Sequence, residues 1–517
     1  MSDQTQQPES FDAIANEAHH EERKFFRDVM LRVLAQIVLQ LRGLILLPII
    51  AKVLGTEEYG IWTQINVTVT LLVPILTMRL DMAVVRYLSS KSRSEINRDF
   101  FALLLLIWAG LLVVCGLGFL FREEASLFLF GSSQYVFFVE LFLVFLVTRT
   151  SYTFLLNFYR TSGQMKRYTA LELMSALLEV ALSLYLVNTG GGLGSVLTAF
   201  IFVEAMVCTV VLANIIRQTG LPRSVASSKL FFYIGYSLPL VISTFLAWVI
   251  DSSDRYFITH LLDDGLKNVA IYNASYSLGQ LSVLFLWPLA FVLFPTISRL
   301  WEDKKKMEAR RYLQNCMRYY LTLAVPSVLG LYLLSSQLLR FFASDEFVTD
   351  PLLVLSILLG ILWMGITQFY IYVLHLTERT KLMSLMFVGS AILNVILNIL
   401  LIPQIGIMGA ALSTFLAYLV RMGFVVVCSE KIFSIGFDFA FFIKVLIAGL
   451  GMYGSLLLLM PHGIVAIMGT AILGAVIYFI ILLSLRGISR SEIDLFRSLL
   501  RPEHLAQNDC VIHEKKM

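Results

Sequence analysis

The chain is a succession of long apolar stretches joined by short polar connections. Each stretch is near the roughly 20 residues that a helix needs to cross the hydrocarbon core of a bilayer. Helices are expected because a spanning backbone must satisfy its hydrogen bonds internally. The sequence therefore predicts an all-α polytopic membrane protein of about 14 transmembrane helices, at residues 32–54, 58–78, 100–121, 136–159, 168–188, 193–216, 230–250, 268–294, 319–342, 351–375, 382–402, 406–428, 439–460 and 463–485.

Composition supports a membrane protein and excludes several other classes. Hydrophobic residues make up 58% of the chain and charged residues 15%, against about 25% charged residues in soluble domains. The 40 basic and 36 acidic residues leave a net charge of only +4, so we predict no nucleic-acid partner. The dispersed cysteines and the lack of nucleotide-binding or nucleophile motifs predict no metal, no cofactor and no enzymatic activity.

Lys and Arg are distributed unequally between the two sides of the predicted helices. Segments on the side of the N-terminus hold 31 of them, and the opposite side holds five. Because positive residues favour the cytoplasmic side, we predict a multi-pass protein of the cytoplasmic (inner) membrane with both termini in the cytoplasm. Residues 1–27 are polar and lack the apolar core that a signal peptide needs.

One part of the chain is repeated. Residues 175–184 align without gaps with residues 390–399, at a constant offset of 215 that also pairs Gly191 with Gly406. The offset covers six helices, an even number, so the halves enter the membrane in the same orientation. We predict two six-helix bundles in parallel pseudo-repeat plus two C-terminal helices. The predicted parts are a cytoplasmic tail at 1–27, an N-lobe at 28–217, a C-lobe at 218–430, two helices at 431–485 and a cytoplasmic tail at 486–517.

Several stretches resemble the polysaccharide flippases of the O-antigen, Wzx type, within the multidrug/oligosaccharidyl-lipid/polysaccharide exporter superfamily. The most specific is Asn394–Pro403 followed by Gly406–Thr414, which resembles the family's eleventh-to-twelfth helix hairpin. Looser similarities lie at Leu41–Gly55 with Glu58–Trp62, at Asp81–Tyr87, and at Ser237–Leu240 with Asp254–Tyr256. The resemblance covers roughly residues 30 to 480 and implies fourteen helices with two six-helix lobes.

The resemblance implies a transporter that flips a lipid-linked (undecaprenyl-diphosphate) oligosaccharide across the cytoplasmic membrane for polysaccharide or lipopolysaccharide biosynthesis. An ion gradient is the expected driving force, because the sequence has no nucleotide-binding motif. The expected partners are this substrate, membrane lipids, glycosyltransferases and a polysaccharide polymerase. Three alternatives stay open: a lipid II-type flippase, a multidrug antiporter for small amphipathic cations, and a non-transporting scaffold in a glycan-assembly complex.

Four charged residues lie deep within predicted spans, where a charge needs a partner or a function. Arg42, Arg149, Glu179 and Glu204 are each about ten or more residues into their helices, all in the first half. Guanidinium groups stay charged and can hold phosphate oxygens with two hydrogen bonds, so both arginines are candidates for binding the diphosphate. The alternative is that they only pair with the glutamates. Glu179 and Glu204 are candidates for coupling transport to an ion.

Polar residues extend this predicted site along the first span. Arg32, Gln36 and Gln40 share one helical face by the i, i+4 rule, and Arg42 lies beside them. Such a sector is expected to face the interior of a bundle rather than lipid. We therefore predict that these residues line the substrate cavity.

Two further polar groups lie in the second half. Asp251, Asp254 and Arg255 follow the seventh span at its outer end, and we predict that they gate the exit, with a solvated rim as the alternative. Asn394 and Asn398 lie one helical turn apart and predict either contacts with cargo sugars or hydrogen bonds between helices.

Overall fold

The computed structural model describes residues 38–39, 42–43, 45–88, 93–220, 229–284, 286–459, 461 and 463–487. The described residues form helices and short connections and contain no strand. Residues 45–54 are helical, with a π-helical turn at Pro48–Lys52. The α-helices are α1 (Thr56–Leu76), α2 (Leu80–Leu88), α3 (Arg93–Leu120), α4 (Arg122–Phe130), α5 (Val136–Thr161), α6 (Met165–Asn188), α7 (Leu193–Thr219), α8 (Leu230–Ser252), α9 (Asp254–Leu261), α10 (Gly265–Gln280), α11 (Leu286–Glu302), α12 (Lys306–Phe342), α13 (Pro351–Leu376), α14 (Thr380–Ile405), α15 (Ile407–Ile432), α16 (Phe439–Leu456) and α17 (Ile464–Ser484).

Among the described residues, twelve helices are long and apolar enough to cross a membrane. They coincide with twelve of the fourteen predicted spans, so the chain is a multi-pass membrane protein, although the count of fourteen is not confirmed. The first predicted span, 32–54, is described only at residues 38–39, 42–43 and 45–54 and is not among these twelve helices. The eighth, 268–294, is wrong as a single helix, because α10 ends at Gln280 and α11 begins at Leu286. Pro288 has no N–H to continue the helical ladder across this point.

The helix bounds follow the sequence repeat. Adding 215 to the bounds of α5 gives the bounds of α13, and α6 and α14 begin 215 residues apart. The repeat therefore includes one helix more than the sequence alignment covers. In the first half α5, α6 and α7 pack together, as α13, α14 and α15 do in the second, while α16 and α17 pack against α12. The lobe boundaries at 217/218 and 430/431 stay a prediction.

Three short helices, α2, α4 and α9, lie where the sequence predicts connections. The outer connection predicted at 251–267 contains the helix α9. The chain turns at Ser253 and continues as a helix from Asp254 to Leu261. Its eight residues are too short and too polar for a span, so hydropathy gives no sign of them.

The two halves touch at the predicted outer end of α1. Gly60 lies so close to α10 that a Cβ at this position would sit 2.2 Å from the carbonyl oxygen of Leu266. Glycine fits here without movement because it has no Cβ. Further along α1 the hydroxyl groups of Thr68 and Tyr256 are 2.5 Å apart. These contacts join the first half to α9 and α10.

Candidate substrate site

Four charged side chains from four helices meet in the first half. The Nη1 atom of Arg42, on the first span, lies 2.5 Å from Oε2 of Glu179 on α6. The Nη2 atom of Arg149, on α5, lies 2.6 Å from Oε1 of Glu204 on α7 and 3.9 Å from Oε1 of Glu179. We call Arg42, Arg149, Glu179 and Glu204 the charged cluster.

The charged cluster lies at the middle of its helices. Arg149 is the fourteenth residue of the 26-residue helix α5, and Glu204 is the twelfth residue of the 27-residue helix α7. Glu179 is the fifteenth residue of the 24-residue helix α6. At about 1.5 Å per residue these positions are roughly 16–21 Å from the helix starts. The ion pairs therefore lie near the midplane, where an unpaired charge is costly.

The arginines of the charged cluster are more exposed than its glutamates. The side chains of Arg42 and Arg149 are 28% and 18% exposed, whereas those of Glu179 and Glu204 are 1% and 0% exposed. The carboxylates thus lie behind the guanidinium groups, which keep an accessible edge. An anion that reaches the charged cluster meets the arginines first.

Neighbouring side chains contact Arg149 and Glu204. The Arg149 guanidinium lies 5.2 Å from the ring centre of Phe145 and 5.8 Å from that of Tyr152. The Thr148 hydroxyl donates to Oε2 of Glu204 at 3.0 Å. On the facing carboxylate, Oε1 of Glu179 has no hydrogen-bond partner among the described residues. Its contact within the charged cluster is the longer ion pair with Arg149, at 3.9 Å.

The sequence predicted these four residues as functional candidates because of their depth in the spans, and in the structure they lie in contact with one another. The arginines pair with the glutamates, which is what the alternative without a substrate role predicts. The substrate role of the arginines therefore stays a prediction. Arg32, Gln36 and Gln40 lie outside the described residues. The aromatic supports were missed, since Phe and Tyr are frequent throughout so apolar a chain.

The repeat provides an internal comparison for the charged cluster. The positions in the second half that correspond to Arg149, Glu179 and Glu204 at the offset of 215 hold Met364, Asn394 and Leu419. The helices α13 and α15 nevertheless pack against each other, as α5 and α7 do. Close packing of these helices therefore does not require the charges.

The predicted gate residues form a second buried polar group. Asp254 and Arg255 are 0% and 3% exposed, so the alternative of a solvated rim is wrong for these two residues, while Asp251 is half-buried. Arg255 Nη1 lies 2.6 Å from Oδ1 of Asp254 and donates to the backbone oxygen of Asp251 at 2.8 Å. The Tyr272 hydroxyl donates to Oδ2 of Asp254 at 2.5 Å, and the Tyr418 hydroxyl donates to Asp251. We call Asp251, Asp254, Arg255, Tyr272 and Tyr418 the gate cluster.

The gate cluster is bonded to the first half. The Gln64 amide on α1 donates to the backbone oxygen of Arg255 at 3.2 Å and to the Thr259 hydroxyl. The Arg255 side chain donates to Asn273, whose amide donates to the Tyr59 hydroxyl at 3.2 Å. The sequence placed these charges in an outer connection, and it gave no sign that α1 would form hydrogen bonds beside them.

Asn394 ties two helices of the second half together. The Asn394 amide donates to the Thr414 hydroxyl on α15 at 3.4 Å, and the Asn398 amide donates to Asn394 at 3.1 Å. Both asparagines are fully buried, which removes them from contact with cargo sugars. The predicted hydrogen bonds between helices are therefore confirmed.

Arg421 is a deep charge that sequence reasoning missed. It lies at the fifteenth position of the 26-residue helix α15, and it is 5% exposed. Its guanidinium lies 4.9 Å from the ring centre of Phe387 and 4.7 Å from that of Tyr418. The expectation that all deep charges belong to the first half is wrong, because Arg421 was counted with the cytoplasmic segment that follows its helix.

The arrangement of helices is that of known membrane transporters. The structure is similar to that of the lipid II flippase MurJ in an inward closed conformation, with a TM-score of 0.69, 17% identity, and coverage of 92% of this chain and 100% of that chain. It is also similar to an inward-facing MATE family multidrug resistance transporter, with a TM-score of 0.63, 11% identity, and coverage of 76% and 94%. The predicted all-α transporter fold is therefore confirmed.

Comparison with protein families gives a more specific result. The model of the polysaccharide biosynthesis protein family matches residues 25–301, more than half of the chain, and the MatE model matches residues 239–400. The chain therefore belongs to the polysaccharide biosynthesis protein family. This confirms the predicted membership of the polysaccharide flippases within the exporter superfamily.

Curated relatives match over shorter stretches. The probable flippase AglR of Haloferax volcanii is 28% identical over 156 residues, which are 29% of this chain and 32% of that protein. The probable low-salt glycan biosynthesis flippase Agl15 of the same organism is 26% identical over 212 residues, which are 41% and 43% of the two chains. The matched region thus spans less than half of the length of these relatives.

Proposed function

We propose that this protein is a flippase that moves a lipid-linked oligosaccharide across the cytoplasmic membrane, with an undecaprenyl-diphosphate carrier and both chain termini in the cytoplasm. The family membership supports this, and so do the names of the two Haloferax relatives, a probable flippase and a probable flippase of glycan biosynthesis. Glycosyltransferases that supply the cargo and a polymerase that consumes it are the partners that such a role needs.

The charged cluster is our candidate for the diphosphate site. The observation that carries this assignment is the exposure of Arg42 and Arg149 in front of two fully buried carboxylates. Guanidinium groups bind phosphate oxygens through two parallel hydrogen bonds, which are strong where water is scarce. The uncharged equivalents Met364 and Leu419 support a role for the charges other than packing.

The glutamates have two roles in this proposal. They hold the guanidinium groups while no substrate is bound, and they keep the empty site electrically balanced. When a diphosphate binds, its negative charge lies close to Glu179 and Glu204, and the repulsion favours entry of a compensating proton or metal cation. The Oε1 atom of Glu179, which accepts no hydrogen bond from the described residues, is where we expect this cation to bind, which would couple transport to an ion gradient.

The gate cluster closes the outer side in this proposal. Its polar groups are bonded to α1 through Gln64 and to one another, so the outer ends of the halves stay together. Release of the head group outside would require these bonds to break as one half rocks against the other. The lipid tail would remain in the bilayer throughout.

The test replaces two charged residues of the first half by the residues at the corresponding positions of the second half. The variant Arg149→Met with Glu204→Leu places at both positions the residues that their repeat equivalents hold, and it removes two opposite charges together. We expect it to fold and to lose transport by at least about tenfold, since one charge-assisted hydrogen bond contributes about 1.5–3 kcal/mol and 1.4 kcal/mol is tenfold. The measurement is the leaflet accessibility of an undecaprenyl-diphosphate oligosaccharide in reconstituted vesicles.

A matched control is the exposed ion pair of the same half. Arg122 and Glu140 are 3.0 Å apart with side chains 42% and 41% exposed, and the variant Arg122→Met with Glu140→Leu makes the same chemical change. The control should transport like the wild type. Unchanged transport by the correctly folded Arg149→Met, Glu204→Leu variant would refute the diphosphate site.

Export of a small amphipathic cation is the second candidate, favoured by the match of residues 239–400 to the MatE model. It predicts carboxylates at the accessible surface of the site, whereas those of Glu179 and Glu204 are covered by arginines. Efflux of a cationic dye from vesicles under an ion gradient distinguishes it from the flippase.

A further inference from the structure

Two cavities meet where α5 ends and α6 begins, at the predicted cytoplasmic side of the first half. The first cavity, of about 830 Å³, is lined by the turn at 161–164 with Arg160 and Gln218. The second cavity, of about 570 Å³, lies between α6 and α7. Arg167 lines both cavities. Because the two cavities share this side chain, we treat them as one candidate site with a basic end and an apolar cleft, which we call the rim site.

Among the described residues, no carboxylate forms an ion pair with the positive charges of the rim site. Arg160, Arg167 and Arg217 line it, and none of them forms an ion pair with the described residues, unlike the arginines of the charged cluster. Arg167 is held in position, since its Nη1 donates to Oε1 of Gln164 at 2.7 Å. Three exposed guanidinium groups around these two adjoining cavities attract a phosphate group.

The apolar part of the rim site extends into the membrane. It is lined by Leu171, Met174 and Val210, and the last two are 47% and 56% exposed. Met174 is the tenth residue of α6, about 14 Å beyond the helix start. Exposed apolar side chains at this depth of a spanning helix face lipid. The cleft therefore opens toward the acyl chains of the bilayer.

We propose that the rim site binds an anionic phospholipid of the membrane, with the phosphate against Arg160 and Arg167 and one acyl chain in the cleft between α6 and α7. A lipid-linked cargo carries the same phosphate chemistry. We favour the phospholipid because the cleft opens on the bilayer, and because Arg167 lies twelve residues from Glu179 along α6, about 18 Å from the charged cluster. The proposal does not depend on the transported substrate.

Native mass spectrometry of the full-length protein in mild detergent tests the proposal. Dioleoyl phosphatidylglycerol is titrated against wild type and against Arg160→Gln with Arg167→Gln. The matched control is Arg122→Gln with Arg340→Gln, which removes two exposed arginines of the opposite predicted side. We expect the apparent affinity to fall about tenfold or more in the first variant and to stay unchanged in the control. Dioleoyl phosphatidylcholine should bind weakly to all three proteins.

A second variant tests the apolar part without changing charge. Ala170 lines the cleft, and Ala170→Trp should fill it and weaken binding of the same lipid. Equal binding of phosphatidylglycerol by wild type and both variants would overturn the proposal. Displacement of the lipid by inorganic phosphate at similar concentration would show a simple anion site instead. Preferential binding of undecaprenyl phosphate, lost in the arginine variant, would assign the site to the cargo and would also overturn the proposal.

Discussion

Gly60→Ala is expected to shift the protein away from the conformation in which α1 and α10 touch. The new Cβ would lie 2.2 Å from the Leu266 oxygen and 2.8 Å from its carbonyl carbon, and both are backbone atoms that cannot rotate away. An ordinary contact needs at least about 3.4 Å, so the helices must separate by roughly 1 Å or more. If the halves part on this side during transport, the contact exists in only one of the two states.

The size of the shift follows from the cost of overpacking. Forcing one methyl group into a close-packed contact costs about 1–3 kcal/mol. A state raised by that amount loses a factor of about 5–150 in its population relative to the alternative. The substitution does not destabilise the helix α1 itself, because alanine is favoured over glycine in a helix by about 1 kcal/mol.

Spin labels on the two halves measure this shift. Glu123 on α4 and Asp263 before α10 are exposed, and the distance between labels at these positions reports separation at the outer side. Gly110→Ala is the control, since a Cβ at this helical position meets nothing within 4 Å. A longer distance in Gly60→Ala alone supports the reasoning. An unchanged distance distribution in a stable Gly60→Ala protein would show that α1 and α10 do not separate between states.

Two further substitutions test the buried polar groups. Arg149→Gln alone leaves the Glu204 carboxylate buried without its cation, so this variant should be less stable than Arg149→Met with Glu204→Leu by about 3–5 kcal/mol. The measurement is the thermal unfolding midpoint in detergent, which should be well below that of the double variant. Equal midpoints would contradict the pairing. Tyr418→Phe removes the hydroxyl that donates to Asp251 and should cost about 1–3 kcal/mol, whereas Tyr185→Phe, at a side chain 65% exposed, should cost nothing measurable in the same assay.

The fold was largely predictable because the bilayer sets the length of an apolar stretch. Twelve spans and the repeat at 215 followed from length and from residue identity. The break in the eighth span could not be predicted from length or residue identity, since hydropathy stays high through residues 281–285 and only Pro288 indicates an interruption. Local sequence thus predicts where the chain enters the membrane better than where a helix is interrupted.

The charged cluster could be predicted in part. Depth along each helix selected Arg149, Glu179 and Glu204, and the equal number of each sign suggested pairing. Which carboxylate pairs with which arginine depends on how α5, α6 and α7 pack, which one sequence does not contain. The hydrogen bonds of Gln64 on α1 to Arg255 and Thr259 were missed for the same reason: a contact between halves leaves no periodic signal in either segment.

The two polar groups differ in a way that separates their proposed roles. In the gate cluster the carboxylate of Asp254 and the guanidinium of Arg255 are both covered and bonded within the protein, so the groups have little capacity left for a ligand. In the charged cluster only the carboxylates are covered, and the guanidinium groups of Arg42 and Arg149 keep accessible edges. Substitutions in the charged cluster should therefore change the concentration of substrate needed for half-maximal transport. Substitutions in the gate cluster should change the balance between conformations even when no substrate is present.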